Sequence, residues 1–183
     1  GDDGRFYTLS AHTIPGGRGF GEPLRMYIDL AADSDLLYMG VAEKERQFLV
    51  ASSSGRGFIV TADNVIAQTK NGKQILNLSA EEKAVACVPV EGDMVAVIGE
   101  NRKLLIFPVS ELPIMGRGRG VILQKYNGGA LSDVKTFMLE EGLSWQNKKR
   151  SFSEKDLTTW QGKRAGAGRL PPTGFPRTNK FNA

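Results

Sequence analysis

The sequence predicts an all-β protein built as a propeller-like array of small antiparallel sheets. Three observations carry that reading. Short runs of aliphatic, β-branched and aromatic residues alternate with turns of Gly, Pro, Asn and Asp, and these turns are too short for crossover helices. The same order of features also recurs: a strand, a polar step, a glycine and cation loop, then a second strand. It is clearest in Asn101 to Tyr126, NRKLLIFPVSELPIMGRGRGVILQKY. It returns in Gly4 to Leu30 with the loop GGRGFG, in Ser54 to Leu78 with the loop drifted to QTKNGK, and in decayed form in Arg150 to Arg169, RSFSEKDLTTWQGKRAGAGR. Finally, Gly4 to Gly55 is 51 residues and Phe58 to Leu105 is 47, a period that marks arrays in which each repeat is one small sheet.

The elements follow in chain order. The first copy predicts strands over Arg5 to Leu9 and Leu24 to Ile28, and Asp35 to Val41 (DLLYMGV) reads as a third. The charged turn AEKER leads to Gln47 to Ala51, and the glycine turn SSSGRG to Phe58 to Thr61. Gln74 to Leu78, Ala84 to Val88 and Met94 to Ile98 follow, separated by SAEEK and by Glu91-Gly92-Asp93. After the third copy, Ser132 to Leu139 alternates as a strand and Leu143 to Trp145 begins the last. The blades are expected over residues 1–145. Residues 146–183 form a degenerate last repeat and a basic, Pro- and Gly-rich tail, expected to be extended or partly disordered, with Phe175 and Phe181 as candidate anchors.

The 183 residues can bury a real core, and no apolar run approaches the length of a membrane span. No secretory leader is evident, and the opening Gly1-Asp2-Asp3 runs straight into a strand, which reads as a piece of a longer chain. Cys87, the single cysteine, sits in an apolar run and reads as a buried small hydrophobe in a reducing compartment. The net charge of +4 is unevenly divided. Residues 146–183 hold nine Lys or Arg against two acids, whereas the rest holds fifteen against eighteen. A concentrated positive end and cationic loops predict a polyanionic partner.

Chemistry of the catalytic kind is not legible. His12 stands alone in a turn without a second ligand at metal spacing. Glu81 and Glu82 lie side by side in an exposed turn, and Tyr7, Tyr27, Tyr38 and Tyr126 fall in or beside strands. No phosphate-binding P-loop, dinucleotide fingerprint or CxxC pair occurs. What the loops offer instead is phosphate contact. In GRGRG, Arg117 and Arg119 project between glycines that let the backbone approach a ligand, and Arg presents a rigid fork of donors. One such loop alone reads as a solvated turn; its repetition makes it a candidate. The candidate phosphate-contact residues are Arg18, Arg56, Lys70, Lys73, Arg102, Lys103, Arg117, Arg119, Lys163, Arg164 and Arg169.

The stretch NRKLLIFPVSELPIMGRGRGVILQKY and the ending DLTTWQGKRAGAGRLPPTGFPRTNKF resemble the C-terminal domain of the A subunits of bacterial type IIA topoisomerases, nearest to the topoisomerase IV form of the alphaproteobacterial type. The resemblance covers nearly the whole chain. It implies a β-pinwheel, a disc of four-stranded blades that exchange a strand with a neighbour and bind and bend double-stranded DNA on a basic rim. Gyrase A subunits carry the box QRRGGKG, which has no intact counterpart here. The resemblance further implies that the tyrosine nucleophile and Mg²⁺ lie in another part of the same polypeptide, and that ATP binds the partner B subunit of topoisomerase IV, so that this piece needs no cofactor of its own. It implies an A2B2 parent acting in decatenation and relaxation of supercoils in the bacterial cytoplasm, without membrane insertion. A gyrase-type wrapping domain and a protein-binding propeller are the alternatives.

Overall fold

The computed structural model describes residues 1–183, and it is a stack of twisted antiparallel sheets. The best-formed unit, here the first blade, begins with a hairpin of β2 (Gln47–Ser52) and β3 (Arg56–Thr61). Both strands are apolar at almost every position, QFLVAS and RGFIVT, as expected for strands covered on both faces. β5 (Ala84–Pro89) pairs with β2 on one side, and β8 (Val121–Ile122) pairs with β3 on the other. The resulting order is β5-β2-β3-β8, so the last strand comes from the following repeat.

The second blade repeats this plan with β6 (Met94–Gly99), β7 (Leu104–Pro108) and β9 (Leu131–Phe137). Its exchanged strand is reduced to an antiparallel bridge between Leu104 and Arg169. The third blade is the hairpin of β10 (Leu143–Asn147) and β11 (Arg150–Glu154). At the N-terminal end β1 (Arg5–Phe6) pairs with β4 (Lys73–Gln74).

Hydrogen bonds fix the repeat register. Asp2 N donates to Asp35 O, Ser53 N to Lys83 O and Glu100 N to Ala130 O, at 2.9, 2.8 and 2.9 Å. The donors are spaced by 51 and 47 residues, the same steps read from the sequence. Gly72, Gly120 and Gly168 are equivalent in the same way. Each precedes the exchanged strand with φ between +70° and +78°, and a Cβ at each would lie within 2.7 Å of a backbone oxygen of the hairpin strand it joins. Only glycine serves there. Gly4 and Gly55 close equivalent hairpin turns, and Arg102 holds that place in the second blade at φ 59°.

Three apolar layers lie between the sheets. Phe48, Val50, Phe58 and Val60 face the N-terminal segment with Ile75 and Leu76. Leu49, Ile59, Val95, Val97, Leu105 and Phe107 fill the space between the first and second blades. Ala96, Ile98, Leu104 and Ile106 meet Leu143, Trp145 and Leu157 of the third. The alternation expected across β9 is met, with Val134 facing the first blade and Phe137 facing the third.

Three expectations are corrected. Leu24 to Ile28 is not a strand but carries a 3-10 turn over Leu24–Met26, and Asp35 to Val41 forms no ladder. By register Asp35 to Val41 belongs beside the hairpin that contains β1, whereas Leu24 to Ile28, 48 residues before β4, belongs one repeat before that; strand-forming composition without a partner strand leaves both irregular. The tail, in turn, is ordered. Phe175 and Phe181 are buried in the layer of the third blade, and residues 181–183 run parallel to β10, with Gln146 N donating to Phe181 O (2.7 Å) and Lys148 N to Ala183 O (2.9 Å). The tail thereby covers an edge that would otherwise be open. No helix is long and apolar enough to cross a membrane.

Candidate nucleic-acid interface

The glycine and cation loops all precede the exchanged strand, so the equivalent register places them on the same edge of successive sheets. Gln68 to Lys73 leads into β4, Gly116 to Gly120 into β8, and Lys163 to Gly168 into Arg169. Parallel bridges pin the entry to two of these loops, Ile59 with Ile114 and Ile106 with Gln161, again 47 residues apart. Sheets stack at about 10 Å, so three such loops span roughly 20 Å, or about six base pairs of duplex.

The eleven candidate cations fall into two groups. Three are occupied as fasteners. Arg102 donates to Pro176 O (2.9 Å) and Asn179 Oδ1 (3.1 Å), which holds the tail and steadies its own left-handed backbone. Arg164 donates from Nε to Glu111 O (3.1 Å) and from a terminal nitrogen to Ile122 O (2.7 Å), locking its loop onto the previous one. Arg56 is half-buried and donates to Gly120 O at 3.3 Å. The sequence could not separate these from the others, because a guanidinium serves a carbonyl as well as a phosphate.

The remaining eight face solvent to varying degree. Arg18 is exposed in the loop Gly16 to Gly21, whose glycines at 16, 17, 19 and 21 have open space around them. Lys70 Nζ rests on Met26 O (3.3 Å) and Lys73 Nζ on Asn64 O (2.6 Å), both at the surface. Lys103 is half-buried, whereas Lys163 and Arg169 are exposed and line a groove of about 200 Å³ with Trp160. Arg117 Nε donates to Asn77 Oδ1 at 3.3 Å. Arg119 is paired with Glu82 at 3.0 Å.

Glu82 is a residue that sequence reasoning passed over as a solvated turn carboxylate. Its side chain is only 13% exposed, and the Ser79 N–H, the Ser54 hydroxyl and Arg119 hold it below the usual carboxylate range. It therefore stays anionic beside the GRGRG loop and presets Arg119. Arg5 is a second omission. It is the 51-residue counterpart of Arg56 and likewise donates to a loop carbonyl, Asn71 O at 3.0 Å. Its signal was the repeat spacing itself.

No cluster of three or more His, Cys, Asp or Glu side chains is placed to hold a metal ion. Burial pushes the Cys87 thiol up to about 12, so it remains a neutral packing group. The Tyr126 hydroxyl is buried without a partner, and burial raises its pKa too, so it is not poised as a nucleophile.

The fold and its loop-bearing edge define a β-propeller of the pinwheel class. Residues 46–91 and 93–136 match the family model described as the DNA gyrase C-terminal domain, beta-propeller. The chain belongs to this family of C-terminal domains from type IIA topoisomerase A subunits. Within it, the chain is 44% identical over 181 residues to the A subunit of DNA topoisomerase 4 from Rickettsia conorii and 42% identical over 182 residues to that from Caulobacter vibrioides, matches that take in 99% and 98% of the chain. It spans 24% of the length of each of these relatives. Among solved structures it is similar to the E. coli ParC C-terminal domain, with a TM-score of 0.82 and 26% identity over 96% of this chain and 76% of that one. The DNA gyrase A C-terminal domain shares the fold, with a TM-score of 0.66 at 16% identity over 92% of this chain and 57% of that one.

Proposed function

We propose that this chain is the DNA-binding C-terminal part of a topoisomerase IV A subunit, and that it holds and bends a duplex along the edge formed by its exchanged strands. The observation that carries the proposal is the common register of the cationic loops, which repeats phosphate-binding chemistry at one place on each blade. Lys70, Lys73, Arg117, Arg119, Lys163 and Arg169 make the phosphate contacts, with Arg18 and Lys103 flanking them. Arg56, Arg102 and Arg164 hold the loops in place. No helix is available to enter the major groove, so affinity comes from the backbone and preference from DNA shape.

In the parent enzyme this domain would present DNA for ATP-dependent strand passage by an A2B2 assembly, while cleavage chemistry, Mg²⁺ and ATP reside in other parts. Lysine acetylation with and without duplex DNA tests the surface. Lys70, Lys73 and Lys163 should be protected, whereas Lys44, beside the Arg46–Glu91 pair at the far end of β2, should not be. Equal labelling of all four in the presence of bound DNA would place the duplex on another face.

A further inference from the structure

The loop GRGFG (Gly17 to Gly21) repeats GRGRG (Gly116 to Gly120) with Phe20 in place of Arg119. The backbone agrees with the sequence. Gly21 has φ +72°, against +70°, +76° and +78° at Gly72, Gly120 and Gly168, and Gly19 shares with Gly118 a φ far into the positive range, +127° and +153°. The loop also leaves toward its neighbour as the later ones do, since Asp29 N donates to Lys70 O (2.9 Å) as Asn77 N donates to Gly118 O (2.8 Å). Asp29 follows its glycine by eight residues where Asn77 follows Gly72 by five, and the 3-10 turn Leu24–Met26 takes up the difference. An aromatic ring thus stands, on a longer loop, where the central loop carries a phosphate-binding guanidinium.

The residue before this glycine faces solvent in every copy. Asn71, Arg119 and Ala167 are exposed although their loops lie against a hairpin strand, and Phe20 is exposed at 111%, the most of any large hydrophobic side chain here. A Cβ at Gly19 or at Gly21 would meet nothing within 4 Å, so the ring is the only bulk at the tip. A tip of that width fits a minor groove about 6 Å across, and a single ring fits between two parted base pairs. Arg18 lies two residues away, at most about 7 Å along the chain, which keeps its guanidinium within reach of a flanking phosphate. A protein contact would ask for a contiguous apolar patch, whereas the neighbours of Phe20 are glycines and Arg18.

We propose that Phe20 is a wedge that enters the minor groove of a bound duplex and parts one base step, while Arg18 holds a phosphate beside it. The proposal rests on the reading of the loop edge as a duplex-binding surface. Cations alone follow any duplex, but a wedge is cheapest at the flexible TA and CA/TG steps and kinks the DNA where it enters. It gives the edge a preferred point of bending.

The test is a labelled duplex of about thirty base pairs whose only flexible step is a central TA, with the adenine of that step replaced by 2-aminopurine, which brightens when it unstacks. Emission should rise when the wild-type chain binds. Phe20→Ala should keep the salt slope of binding and lose the rise, whereas Phe20→Arg should steepen the slope by about 0.9 and lose the rise as well. Both variants should melt with the wild type, because the ring has no buried contact to give up. Emission that rises equally with Phe20→Ala, or that stays flat while the wild type binds with a steep salt slope, would overturn the wedge and leave the duplex-binding reading standing. Absence of salt-dependent binding by the wild type would overturn both.

Discussion

Replacing Arg117 and Arg119 together by alanine removes two phosphate contacts from the central loop. Each phosphate contact contributes about 0.9 to the slope of log affinity against log salt, so the variant's slope should be shallower by about 1.8. Between about 50 and 200 mM salt, the wild-type chain should therefore lose about twelvefold more affinity than the variant. Both side chains are exposed, Arg119 by 52%, and the 13% exposed Glu82 keeps the Ser79 N–H and the Ser54 hydroxyl when Arg119 is removed, so stability should change by less than about 1 kcal/mol. The assay is fluorescence anisotropy of a labelled duplex across a salt series, with a thermal melt as the folding control. Because phosphate contact carries no sequence information, the loss should be similar for unrelated duplexes. Parallel salt curves for the two proteins, with both folded, would refute the assignment of this loop to the interface.

Glu82→Gln removes the anion that competes with DNA for Arg119, so affinity should rise by up to about fivefold at low salt, read in the same assay; a weaker complex would mean that Glu82 acts by shaping the loop. Phe181→Ala should cost about 3–5 kcal/mol in denaturant unfolding, since its ring is 2% exposed and packs edge-on to Phe175; a change below about 1 kcal/mol would mean that this ring does not anchor the tail. Gly120→Ala should lower the melting temperature sharply without altering the charge, because its Cβ would collide with the Gly57 carbonyl oxygen on a left-handed backbone. Burial raises the pKa of Asp133 despite hydrogen bonds from Phe181 N and Val134 N and the nearby Lys180 and Lys135. A carboxyl whose folded pKa lies above its unfolded one favours the fold most at acid pH and gives up that contribution as pH rises through the folded pKa. Stability measured from the ordinary carboxylate range upward should therefore fall less with pH in Asp133→Asn than in the wild type.

The repeat was readable because backbone geometry leaves a mark in composition. Gly72, Gly120 and Gly168 are required by a left-handed turn pressed against a neighbouring strand, and the apolar hairpins β2–β3 and β6–β7 are required by burial on both faces. What escaped was whatever depends on the partner of a segment and not on the segment itself. Leu24 to Ile28 and Leu36 to Val41 have strand composition, but a strand exists only in a ladder. In the tail, cations and prolines outnumber aliphatics, which reads as extended or partly disordered; the anchors Phe175 and Phe181 were legible, but not that with Leu157 and the carbonyls gathered by Arg102 they order the whole segment. The candidate site was legible as chemistry and blurred as assignment, since Arg102 and Arg164 spend on peptide carbonyls the donors that Arg117 and Arg119 leave available.

The central claim is that one edge of the array carries a duplex along several blades. Its most direct measurement is the affinity of this chain for a duplex of about a hundred base pairs and for one of about six, each titrated with salt. The account predicts tighter binding to the longer duplex, with a salt slope of about five or more from the phosphate-contacting cations. Equal affinities per site for both lengths with a slope near one, or no binding to either at low salt, would contradict it.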